Sequence, residues 1–350
     1  MSYCRGCVHA GFTIEEKAVQ AFSGAFTLPE RSPPPLPDLR PKVIILSGPT
    51  AVGKTQLSLI IAQALGGEII SADSMQVYKG MDIGTAKVSS DQRVLVPHHL
   101  IDIREISEKF NVVDFYFEAH QAIQKVLSRG AVPIVIGGTG FYIRALIYGP
   151  PSGPPSIPTV RDRLEQEMLD KGPDLMFEKL KKIDPDYAIT ITQNDKQKII
   201  RGLEIIALTD KKVSYFSKQS SSDTQSYNFR CWFLCKSKEL LYPSIEQRCD
   251  HMLEQGLLEE VKALADQGLC KNLTASQAIG YRQCLDYLST EQTPADWQRF
   301  LIQFKQASRR YAKRQFTWFR KEPLFRWLDM GVISSKHAEE IIIQDYEMGH

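Results

Sequence analysis

The chain has no apolar run of membrane length. A spanning helix needs about 18 to 20 consecutive apolar residues, and the longest apolar stretches, residues 42–46 and 132–136, are strand-sized. Net charge is nearly absent: 43 Lys and Arg against 41 Asp and Glu leave +2, so nothing global draws the protein to nucleic acid. Any such surface must arise from local segregation of charge. Cysteines are few and odd in number; seven scattered residues argue against a secreted disulfide framework and suit a reducing cytoplasm. Cys4 and Cys7 form an isolated C-x-x-C without a second pair, and chance spacing explains it best. The first forty residues lack the continuous apolar core of a secretory signal, and Glu15 and Glu16 with few arginines speak against a mitochondrial address. No internal repeat is present.

What remains is globular in balance, 43% hydrophobic and 24% charged, and 350 residues suffice for one sizeable core with a smaller second unit. Residues 1–40 read as a flexible tail ending in a proline cluster. Residues 43–46 form a buried strand, followed at once by a glycine loop and by leucine, isoleucine and alanine at helical spacing through Leu65. Residues 68–72 read as a second strand, 113–127 as a helix, and 131–136 as a further strand stopped by Gly137 and Gly138. This alternation predicts a parallel α/β core over 41–150, with ligands at the carboxyl ends of its strands. Pro150, Pro151, Pro154, Pro155 and Pro158 make a stiff connector into a helical insertion, 151–226, whose last part, 218–226, is a polar loop. The chain then returns to the core over 227–330, with a strand at 229–234 and helical patterns from Pro243, at 254–264 and at 297–319; 331–350 is a C-terminal tail or helix.

The glycine loop carries the chemistry. Gly48, Pro49, Thr50, Ala51, Val52, Gly53, Lys54 and Thr55 spell a complete Walker A motif between a strand and a helix. Successive backbone N–H groups there form an anion nest at a helix amino terminus, and Lys54 adds a charge. The Thr55 hydroxyl is the expected Mg²⁺ contact. By motif alone the loop would serve ATP, yet an ATP-driven protein usually adds an apolar strand ending in a magnesium-binding aspartate. The strand at 131–136 ends instead in Gly137-Gly138-Thr139-Gly140. Asp73, after the second strand, is the alternative acid; it fits a helix N-cap as well as it fits catalysis. Arg309, Arg310, Lys313 and Arg314 crowd one helix with Phe304, Tyr311 and Trp318 on another side, a pattern that a solvated face over an aromatic stripe also explains. His98 and His99 are adjacent, which suits a structural role better than one metal's ligand sphere.

Together, residues 48–55, 73–78 (DSMQVY), 81–87 (MDIGTAK), 97–102 (PHHLID), 137–142 (GGTGFY) and 278–283 (AIGYRQ) resemble the tRNA dimethylallyltransferases, in the family's order, across residues 42–329. The chain ends without zinc-finger spacing, so the resemblance is to the bacterial type. It implies a P-loop core with an inserted helical domain, and an enzyme that moves the dimethylallyl group of dimethylallyl diphosphate to N6 of the tRNA adenosine 3′ to the anticodon. The P-loop would then hold a diphosphate leaving group, with Lys54, Arg248 and Mg²⁺ on Thr55 stabilising its charge. Asp73 would accept the amine proton and Thr139 would touch the base or the leaving group. Asp73, Ser74, Met75, Gln76, Thr139 and Arg161 match positions that meet tRNA. So do Gln197, Lys198, Ile199, Ile200 and Arg201 on the insertion, and Gln277, Ala278, Ile279, Gly280, Tyr281 and Arg282. Lys198 stands where the family more often has arginine, which keeps a phosphate contact but loses a bidentate one. The anticodon stem-loop would be the partner of a monomeric, cytoplasmic enzyme without membrane contact. Three other readings share parts of the pattern: a prenyltransferase acting on free adenine nucleotides, a P-loop small-molecule kinase, and a non-enzymatic nucleotide-gated RNA-binding module.

Overall fold

A computed structural model describes residues 38–151, 153–219 and 226–348. The expectations for the tail, for Cys4 and Cys7 and for most of the 218–226 loop fall outside those residues. Six parallel strands form one sheet: β1 (Lys42–Ser47), β2 (Gly67–Ser71), β3 (His98–His99), β4 (Val132–Gly137), β5 (Asn228–Cys235) and β6 (Arg326–Asp329), in the spatial order β3-β2-β4-β1-β5-β6. Val43, Ile44, Ile45 and Leu46 are all fully buried, as expected of a central parallel strand covered by helices on both faces. Leu46 lies level with Ile136 of β4 and with Trp232 of β5, so the chain leaves β1 into the P-loop at the same edge where β4 and β2 end.

The strands expected from sequence are present with ends shifted by a residue, while β3 and β6 carry no readable pattern. The first is two residues long and the second is an edge strand with one buried side chain. The two histidines fall in β3. His99 Nε2 lies 2.6 Å from Glu68 Oε2 and His98 Nδ1 lies 2.7 Å from the Val96 carbonyl.

Two helical readings need correction. The helix expected from Pro243 starts earlier: Lys238–Glu254 contains Pro243 in its interior. The run expected over 254–264 is instead divided at Gly256, between that helix and Leu257–Asp266. Helix Pro294–Phe319 buries Phe300, Phe304, Ser308, Ala312, Gln315 and Phe319, one stripe at three- and four-residue spacing. Helix Ser335–Met348 closes the described chain, and Lys42 Nζ reaches its Tyr346 carbonyl at 2.5 Å.

Between β4 and β5 the chain forms helices Pro158–Ile183, kinked at Gly172, then Pro185–Ala188, Lys196–Thr209 and Val213–Gln219. This segment has its own small core of Leu164, Met168, Met176, Leu180, Ile191, Ile199, Ile200 and Leu203, distinct from the large cluster around the sheet. Among the described residues no helix is long and apolar enough to cross a membrane. Leu180 is fully buried in the small core. Leu180→Ala should therefore cost about 2–5 kcal/mol, seen as an earlier first transition in urea melts followed by helical circular dichroism. An unchanged melt would show that this cluster does not hold the segment together.

Candidate active site

The ends of β1, β2 and β4 face a cavity of about 340 Å³. From β1 come Thr50, Lys54 and Thr55; from β2, Asp73, Ser74, Met75 and Gln76; from β4, Gly137 and Gly138. The P-loop is held in an unusual backbone conformation, with Ala51 at φ 63°, a cost that a non-glycine residue bears only where the surroundings impose it. Lys54 Nζ donates to the carbonyls of Gly48 at 2.9 Å and Pro49 at 2.8 Å, so the ammonium lies folded onto its own loop. Burial, together with the Arg248 guanidinium, pulls the Lys54 pKa down to about 7, against the opposing pull of Asp73. Arg248, on helix Lys238–Glu254, is likewise lowered by burial and held up by Asp73. Lys54, Arg248 and the Asp73 carboxylate thus share the cavity.

Asp73 is not a helix N-cap. Its Oδ1 accepts from the backbone N–H of Met75 at 2.8 Å and of Gln76 at 3.3 Å, closing a tight turn. Oδ2 makes no hydrogen bond among the described residues. Thr139 does not line the cavity but stands behind Ser74: its Oγ1 accepts from Ser74 N at 3.2 Å and lies 3.5 Å from Ser74 Oγ. Gln76 is held at both ends of its amide, accepting from Ser71 Oγ at 2.9 Å and donating to the Thr85 carbonyl at 3.3 Å.

The opposite wall comes from the helical C-terminal part. Ile245, Cys249, Met252 and Phe304 give it an apolar surface, and Gln277, Ala278 and Ile279 approach from the loop before helix Tyr281–Leu288. Tyr281 is fully buried, and its hydroxyl donates to Glu260 Oε1 at 2.5 Å. The Glu260 carboxylate also accepts backbone N–H groups from Asp82 at 3.1 Å, Ile83 at 2.7 Å and Gly84 at 3.2 Å. It thereby ties the loop that follows Asp73 to the C-terminal helices. Lys87, almost wholly enclosed, pins the same loop through Asp82 at 2.5 Å, Asp102 at 2.6 Å and the Tyr78 carbonyl at 2.9 Å.

The structure spreads the remaining expected residues more widely. Arg161 donates to Gln197 and to Glu165, and Arg201 donates to the buried Glu204 at 2.7 Å, so these form one cluster at the base of the insertion. Exposed Lys198 lies apart, in a groove of about 760 Å³ shared with Arg144, Arg310, Lys313, Arg314 and Lys321. Arg314 lines both the groove and the cavity, so the basic surface runs on from one to the other. Gly280 is buried, while Arg282 is exposed and faces Asp286 at 3.8 Å. The side chains of Ile199, Ile200 and Tyr281 are all buried, the isoleucines in the small core and the tyrosine against Glu260. Their apolar and aromatic bulk serves packing.

Helix Pro294–Phe319 adds polar cavity residues that have no site role in the sequence reading, Tyr311, Gln315 and Ser308 among them. Burial and Asp73 push the Tyr311 phenol above its ordinary pKa, while its hydrogen bond with Thr139 works the other way, so it stays a neutral hydroxyl. The signal for Ser308 and Gln315 was present as polar residues on an otherwise apolar helical stripe.

A parallel sheet, a Walker loop at its carboxyl edge and a helical segment between β4 and β5 define a P-loop α/β protein whose anion cradle opens toward a carboxylate rather than a Walker B aspartate. More narrowly, the chain belongs to the IPP transferase family, whose model matches residues 76–322. It is 58% identical over 307 residues to the tRNA dimethylallyltransferase of Protochlamydia amoebophila, covering 88% of this chain and 89% of that one. Among solved structures it matches the tRNA isopentenylpyrophosphate transferase of Bacillus halodurans at 40% identity and TM-score 0.63, covering 86% and 94% of the two chains. A eukaryotic dimethylallyltransferase described as acting on tRNA matches at 31% identity and TM-score 0.75, covering 89% and 80%.

Glu260 is the tie between the Asp73 loop and the opposite wall, and Glu260→Ala orphans three N–H groups and one hydroxyl. Each buried orphan costs about 1–3 kcal/mol, so urea unfolding should shift by several kcal/mol, with Glu260→Gln losing much less. Equal, small losses in both variants would show that water replaces the carboxylate.

Proposed function

We propose that this chain transfers the dimethylallyl group from dimethylallyl diphosphate to N6 of the adenosine 3′-adjacent to the anticodon in tRNA, releasing diphosphate. One observation carries the reading: a single cavity joins an anion cradle, an apolar wall and a carboxylate with one free oxygen, and it continues into a basic groove. Membership of the family and the names of the relatives support it.

The P-loop N–H groups, Lys54 and Arg248 hold the diphosphate. As the carbon–oxygen bond to the leaving group breaks, negative charge collects there and is met by the two cations. The N6 lone pair forms the new bond to the five-carbon unit, and the amine proton passes to Asp73 Oδ2. Oδ1 stays bonded to Met75 and Gln76, which keeps the carboxylate aimed. Thr139 and Tyr311 brace Ser74 beside it. The target base must leave its stack to reach this depth. A Mg²⁺ ion fits the same cradle: among the described residues no cluster of acids, histidines and cysteines could enclose a metal, but the Thr55 hydroxyl with donor oxygens and water suits an ion that keeps few protein ligands. When bound, it would neutralise diphosphate charge.

The insertion, residues 151–226, and the groove of Lys198, Arg310 and Lys313 take the anticodon stem-loop by its phosphates. A basic groove beyond the cavity favours this polymeric acceptor over a free adenine nucleotide. The enzyme works as a monomer in the cytoplasm, where unmodified tRNA is available.

Incubation with labelled dimethylallyl diphosphate and unmodified tRNA should give N6-dimethylallyladenosine on nucleoside analysis, and phosphate release from ATP with no prenylated nucleoside would sink the reading. Asp73→Asn removes a base without changing shape. It should lower turnover by about 10²–10⁴-fold, with tRNA affinity in a gel shift held within threefold; equal loss of both would place Asp73 in binding instead. The Lys54 pKa of about 7 makes donor binding pH-dependent. A bound diphosphate favours the charged ammonium, so affinity is full below pH 7 and declines toward tenfold per unit above it. The donor's own last phosphate proton leaves near pH 6, as for other phosphate esters (about 6), so it does not mask this fall. Calorimetry between pH 6.5 and 9 (roughly two decades of proton activity above the lysine pKa) should show it, and a flat profile would mean that Lys54 remains charged throughout.

A further inference from the structure

Gln315 sits on the buried stripe of helix Pro294–Phe319 with 4% of its surface exposed. Both ends of its amide are used, and each on a different strand end. Oε1 accepts the backbone N–H of Thr50 in the P-loop at 3.0 Å, and Nε2 donates to the Gly138 carbonyl after β4 at 3.1 Å. The fit is close: a Cβ on Gly138 would lie 2.1 Å from Gln315 Nε2, so that position admits only glycine while the amide is in place. One residue further on, Thr139 supports Ser74 beside Asp73. A continuous path of hydrogen bonds therefore runs from the diphosphate cradle through Gln315 to the strand end that braces the Asp73 turn.

We propose that Gln315 is a positioning residue that sets the leaving-group cradle against the acceptor side of the site. The inference rests on the prenyl-transfer reading above and deepens it. Neither half of the amide is needed to bind either substrate. The cradle's other N–H groups, Lys54 and Arg248 remain for the diphosphate, and Gln315 is not among the residues that line the groove. What the amide supplies is the separation and angle between two reactants bound on neighbouring strands. Small misplacement of reacting groups costs rate far more than affinity, on the order of 10²-fold for about 1 Å. Glutamine suits the task because its amide offers one acceptor and one donor in a fixed plane, matching an N–H on one side and a C=O on the other.

Gln315→Met keeps length and volume and loses both bonds. Gln315→Glu keeps an acceptor for Thr50 but sets a carboxylate oxygen against the Gly138 carbonyl. The full-length protein is assayed in single turnover with saturating dimethylallyl diphosphate and an unmodified anticodon stem-loop, with separate affinities for each substrate and a thermal melt. The expected result is a rate at least tenfold slower in both variants, with each affinity within threefold of the wild type. A Gln315→Met rate within twofold of wild type overturns the proposal. So does a loss confined to donor affinity at unchanged rate, which would make the residue part of the cradle alone. If Gln315→Met does not fold, the same comparison is read from Gln315→Glu. A wild-type protein that transfers no prenyl group removes the functional reading and this inference with it, whereas an active wild type matched by Gln315→Met removes the inference alone.

Discussion

Three parallel strands end side by side, and the middle one has no room for side chains where it ends. A Cβ on Gly137 would lie 2.2 Å from the Ala72 carbonyl oxygen of the β2 end, and the Gly137 carbonyl accepts from Ser47 Oγ of β1 at 2.8 Å. The end of β4 is thus clamped between the strand that leads to the P-loop and the strand that leads to Asp73. That close approach brings an anion cradle and a carboxylate to one cavity. A bulkier strand end would hold the two chemical halves apart, and the helices above would have no shared floor to close over.

Electrostatics complete the arrangement. A cavity with Lys54, Arg248 and Asp73 on its walls, and only partial access to water, makes each charge depend on the others. Lys54 turns back onto the carbonyls of its own loop, which satisfies the ammonium until an anion competes for it. Beyond the cavity the field changes character. Lys198, Arg310 and Lys313 lie along an open groove, where attraction to a polyanion is screened by salt and steers more than it holds. The near-zero net charge of the whole chain hides this segregation.

Much of the core was legible because its signals are local. Four apolar residues before a Walker loop can only be a buried strand, and alternation of strand and helix implies a parallel sheet. The departure of β4 from a Walker B ending was equally visible and pointed away from ATP-driven chemistry. The elements that escaped detection are those with no local reason to exist. β3 and β6 are short edge strands defined by their neighbours. The break at Gly256, where the backbone takes φ 98°, divides a run that reads as one helical pattern. Nor is the inward turn of the Ile199, Ile200 and Tyr281 side chains local: a motif names a segment, while the fold decides which of its side chains face inward.

By itself, the order of residues determined the strand–loop–helix that makes an anion site, the position of Asp73 at a strand end, and the change of character at the proline-rich connector. Each depends on neighbours a few positions away, where backbone geometry and hydrophobic period leave few choices. Only the tertiary structure decided what stands opposite. That Glu260 gathers the loop after Asp73 and that Gln315 spans two strand ends are contacts across 176 and across 265 or 177 positions of chain, and that Arg314 joins cavity to groove depends on how its helix lies on the sheet. No period or spacing encodes them, because a side chain's partner across such distances is set by how whole helices pack on the sheet.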